Sequence, residues 1–93
     1  MTYQERLPPH DIAAEEALIE SLLLDPLAIH HVVGYLEPEH FYREQHKWIY
    51  EVMLKLWRVG TAIDQVTVAH ELAVAERLEA IGGGAFLSYL TTA

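Results

Sequence analysis

The side chains able to do chemistry in this chain are carboxylates and imidazoles: 14 Asp and Glu and six His, with no cysteine. Acid–base catalysis needs paired titratable groups at a productive offset, or a nucleophile beside a base, and neither pattern is present. His30 and His31 are adjacent, so on a helix their rings diverge by about 100° and do not share an ion easily. His40 and His46 lack the i,i+4 or HExxH arrangement that sets two imidazoles on one face, and His70 stands alone beside Glu71. The only glycine cluster, Gly82-Gly83-Gly84, has no lysine behind it and is not a phosphate loop. No catalytic, cofactor or metal site is expected. The lack of cysteine excludes disulfides and thiolate metal sites, and fits a reducing cytoplasm.

Glu15 is the carboxylate whose position asks for a reason. On a helix beginning near Asp11 it falls within the arc of Ala14, Leu18, Ile19 and Leu22, away from Glu16 and Glu20. An inward carboxylate is costly unless hydrogen-bonded or paired. It is a candidate structural anchor, bonding either to backbone N–H groups at its own helix start or, across elements, to Arg43, a histidine or a tyrosine hydroxyl.

The 93 residues suffice for one small domain, and an apolar fraction of 52% excludes wholesale disorder. The formal charge of −8 repels phosphate, so direct nucleic-acid contact is not expected. No run approaches the length of a membrane span, and no apolar stretch follows the N-terminus as a secretory signal would require. A cytoplasmic domain is the expectation.

The elements that must position these residues read as helices throughout. Residues 1–10, with Pro8-Pro9, suggest an extended arm. Asp11 caps a first helix over 12–24, with Glu15 and Glu16 favourably placed near its positive end. Asp25-Pro26 opens a second helix over 26–36, with Ile29, Val32, Val33 and Leu36 on one side. The third and longest runs over 43–59 and ends at Gly60. Asp64 caps a fourth over 65–74, residues 75–81 are ambiguous, and Ala85–Leu90 begin a last helix after the glycines. No stretch alternates with strand period. The expectation is an all-α compact bundle of about five to six helices. The last helix is barely two turns old where the chain stops at Thr91-Thr92-Ala93, which suggests a piece of something larger.

The third helix carries more apolar surface than a surface helix needs. On a wheel, residues from Trp48 through Leu56, Ile49, Met53, Trp57 and Tyr50 to Leu54 cover roughly 240°, against a stripe of somewhat over 100° for an ordinary amphipathic helix. Glu51 and Lys55, an i,i+4 pair, mark the solvated remainder. Two readings stay open: a central helix surrounded by its own neighbours, or an exposed Tyr50–Leu54–Trp57 flank that binds a protein.

A series of small signals also recurs along the chain: Pro8-Pro9-His10, Ala14-Glu15-Glu16, Leu22-Leu23-Leu24-Asp25, His40-Phe41-Tyr42, Ile49-Tyr50, Ala62-Ile63-Asp64, Thr67-Val68-Ala69 and Gly82-Gly83. In this order and spacing it resembles the N-terminal domain of the bacterial replicative DNA helicase, the DnaB type, over about residues 7–93. Three departures stand out. Glu20 and Ser21 replace small residues of many relatives. Glu76 stands where a glycine is usual, so the fourth helix is expected to run on further. Gly84 occupies a place often held by a bulkier residue.

The resemblance implies that residues 11–93 are the globular head of a collar domain, ending before a helical hairpin that pairs subunits. It implies self-association within a helicase hexamer and docking of primase and a helicase loader. ATP and Mg2+ would belong only to a motor domain outside this stretch, and the fragment itself would be no enzyme. With the hairpin missing, a weak dimer or monomer is the expectation. Two alternatives remain: an acidic helical adaptor unrelated to replication, or the helicase-binding domain of primase.

Overall fold

The computed structural model describes residues 11–92, and the expected N-terminal arm lies outside them. Among the described residues there are helices and no strands. Five α-helices follow in order: α1 (Ile12–Leu24), the single-turn α2 (Ile29–Val32), α3 (Glu44–Val59), α4 (Gln65–Val74) and α5 (Gly83–Thr92). Short 3-10 turns at Pro26–Ala28, Pro38–His40 and Glu79–Ile81 join them.

α1 begins where Asp11 Oδ1 accepts the Ala14 N–H at 3.1 Å, satisfying one of the donors that a helix start leaves open. Its inner face buries Ile19, Leu22 and Leu23. The segment after it departs from the expected helix over 26–36. Pro26 opens a 3-10 turn, and Asp25 contributes its backbone carbonyl to Ala28 N–H at 3.0 Å, with no side-chain cap. Helical pairing then persists for one turn before Tyr35 and Leu36 N–H both return to the Val32 carbonyl. The apolar side still turns inward: Ile29 is buried, and Val32, Val33 and Leu36 pack partly against the core.

α3 is the axis of the molecule. Seven of its residues are buried, His46, Ile49, Tyr50, Val52, Met53, Leu54 and Leu56, because α1, α4 and the turns at Pro38–His40 and Glu79–Ile81 all pack on it. That surround is the reason for its broad apolar arc. Its end is an αL cap: Gly60 has φ +76°, and the Thr61 N–H reaches back to the Leu56 carbonyl at 2.9 Å. Glu51 and Lys55 do not pair with each other as expected. Lys55 Nζ bonds Glu71 of α4 at 2.7 Å, and Glu51 accepts from Arg77 at 3.1 Å. The Arg77 guanidinium also lies 4.9 Å from the centre of the Trp48 ring, so these charges fasten neighbouring segments onto α3.

α4 starts with a reciprocal cap. Asp64 Oδ1 accepts the Thr67 N–H at 2.9 Å, and Thr67 Oγ1 accepts the Asp64 N–H at 3.0 Å. The expected run-on past Ala75 does not occur. Glu76 adopts φ +60°, a left-handed conformation that glycine takes without penalty, and Arg77 N–H closes on the Leu72 carbonyl at 2.8 Å. Burial of Ile81, partial burial of Leu78 and the contacts of Arg77 hold the chain in that turn. Gly82 and Gly83, at φ +109° and +70°, then redirect it into α5, which starts two residues earlier than expected and buries Leu87 and Leu90.

Candidate interaction surface

Glu15 stands at the first turn of α1 with its carboxylate against the start of α3. Oε1 accepts from His46 Nδ1 at 2.8 Å and from the Arg43 N–H at 3.2 Å, while Oε2 accepts the Tyr42 N–H. A carboxylate accepts only, so His46 Nδ1 is the donor in this bond. One side chain thus ties α1 to the 41–43 segment and to α3, and supplies negative charge where α3 presents its positive end. His46 is fully buried; its ring stacks on Phe86 of α5 and meets Phe41 edge-on. Burial pushes the Glu15 carboxyl upward, but the His46 bond and the two backbone donors outweigh it, leaving its pKa below the ordinary 4.5.

The flank proposed as protein-binding divides. Tyr50 is fully buried: its hydroxyl donates to the Leu36 carbonyl at 2.8 Å and its ring tilts against Phe41. Burial, then the nearby Glu37 charge, raises its phenol above the usual tyrosine range. Leu54 is also interior, with 4% of its surface exposed. For Tyr50 and Leu54 the interface expectation is therefore corrected; both belong to the core, because the segments flanking α3 close over that side of the wheel.

Trp57, on the last turn of α3, is only partly buried. The His30 ring meets it edge-on at 5.7 Å. Beside it an open groove of about 520 Å³ runs between Leu27, Ile29 and His30 on one side and residues 60–63 on the other. Leu27, 75% exposed, stands on its rim. Past Thr61 a smaller hollow of about 260 Å³ follows, bordered by Val66, itself 76% exposed, and His70. Sequence reasoning missed Leu27 and the 60–63 wall. The signal available was Pro26, whose tight turn sends the next residue outward, and Gly60, whose αL cap folds the chain back past Trp57.

Among the described residues no three His, Asp or Glu side chains gather as a metal would require. No helix among them is long and apolar enough to cross a membrane. The arrangement offers apolar contact area beside a partly buried tryptophan.

The sequence comparisons define the family. The chain belongs to the DnaB-like helicase N-terminal domain family, whose model matches residues 7–93. It is 44% identical over 91 residues to the replicative DNA helicase DnaB of Geobacillus stearothermophilus, covering 98% of this chain and 20% of that protein. It is also 44% identical over 87 residues to the replicative DNA helicase DnaC of Bacillus subtilis, covering 94% of this chain and 18% of that one. The chain thus spans about a fifth of the length of these relatives. A crystal structure of the N-terminal domain of DnaB helicase from Mycobacterium tuberculosis superposes with a TM-score of 0.86 at 40% identity, covering 92% of this chain and 60% of that one.

Proposed function

We propose that this chain is the protein-interaction and assembly head of a replicative DNA helicase. It contributes to the collar of a hexameric ring and docks primase, with a helicase loader as a further partner. ATP-driven unwinding, with ATP and Mg2+, belongs to a motor region that these residues do not encode. The family match over residues 7–93 carries the reading. The apolar groove beside Trp57 supports a docking role, and the charge of −8 favours protein partners over phosphate. The adaptor and primase alternatives have no observation in their favour.

Titrating the chain with the C-terminal domain of its cognate primase, in parallel with sedimentation velocity of the chain alone, tests this reading. Association with primase, with itself, or with both is expected at concentrations on the order of 50 µM, which corresponds to about 6 kcal/mol of binding free energy. Absence of both at that concentration would overturn it.

A further inference from the structure

We draw no further inference here: the strongest candidate, the apolar groove between the Leu27–His30 side and the 60–63 turn, belongs to the docking surface already proposed, and nothing in the structure shows what else covers it.

Discussion

Glu15 shows how much of one residue's role can be read along a chain. The helical wheel identifies it as a carboxylate on the wrong face, and burial then demands partners. What the wheel cannot supply is the partner, since His46 lies 31 positions away and the Tyr42 and Arg43 N–H groups that also bond the carboxylate lie 27 and 28 positions away. Replacing the charge while keeping the shape weakens three hydrogen bonds together. Glu15→Gln is expected to lower the unfolding free energy by about 2–4 kcal/mol, read from urea denaturation at neutral pH. A change below about 0.5 kcal/mol would mean the clasp is idle. The same carboxylate gives a pH signature. Its folded pKa lies below the ordinary 4.5, so its stabilisation is complete above that value and drains away as pH falls through the lower folded one. Wild-type chain should therefore lose stability on acidification below about pH 4.5, and Glu15→Gln should lose less across the same window. Parallel losses in the two proteins would assign the acid sensitivity elsewhere.

At the scale of elements, legibility followed the caps. α3 and α4 lie where Gly60 and the Asp64–Thr67 pair put them, because those signals are local and chemically specific. The segment after Asp25 broke the expectation because its apolar spacing suits a helix while its packing against α1 demands a turn. Glu76 broke it in the opposite sense: without glycine the helix should continue, yet tertiary contacts stop it and hold a glutamate at φ +60°. A left-handed L-residue costs about 1–2 kcal/mol, partly offset in a glycine variant by the greater freedom of its unfolded chain. Glu76→Gly is thus expected to stabilise the domain by about 0.5–1 kcal/mol, raising Tm by about 2–8 °C in a thermal melt. An unchanged or lower Tm would mean that the glutamate side chain supports the turn. Gly82 is the converse case. An added Cβ would meet Phe86 Cβ at 3.1 Å with φ at +109°, so Gly82→Ala should cost more than about 1 kcal/mol in the same melt.

Across the whole molecule, the apolar excess on α3 was visible in the sequence, but its destination was not. A wheel measures how much surface a helix must hide and is silent on which neighbours hide it. Most of the excess goes to α1, α4 and the connecting turns, which is why Tyr50 and Leu54 are interior, while Val59 is exposed and Trp48 and Trp57 are only partly buried. This division yields a contrast between two substitutions on one helix. Leu54→Ala empties a core position and should cost about 2–5 kcal/mol of stability. Leu27→Glu changes a residue already 75% exposed and should leave the urea midpoint nearly unmoved. If partners seat in the groove, Leu27→Glu should weaken primase binding or self-association at least tenfold, equivalent to about 1.4 kcal/mol. Trp57→Ala should do the same or more, with its partial burial calling for a denaturation control. Folded Leu27→Glu protein that binds both partners like the wild type would remove the groove from the interface and move docking to another face of the head. The two titrations also separate the roles. Loss of primase binding with sedimentation unchanged assigns the groove to docking, whereas the reverse assigns it to contact between subunits.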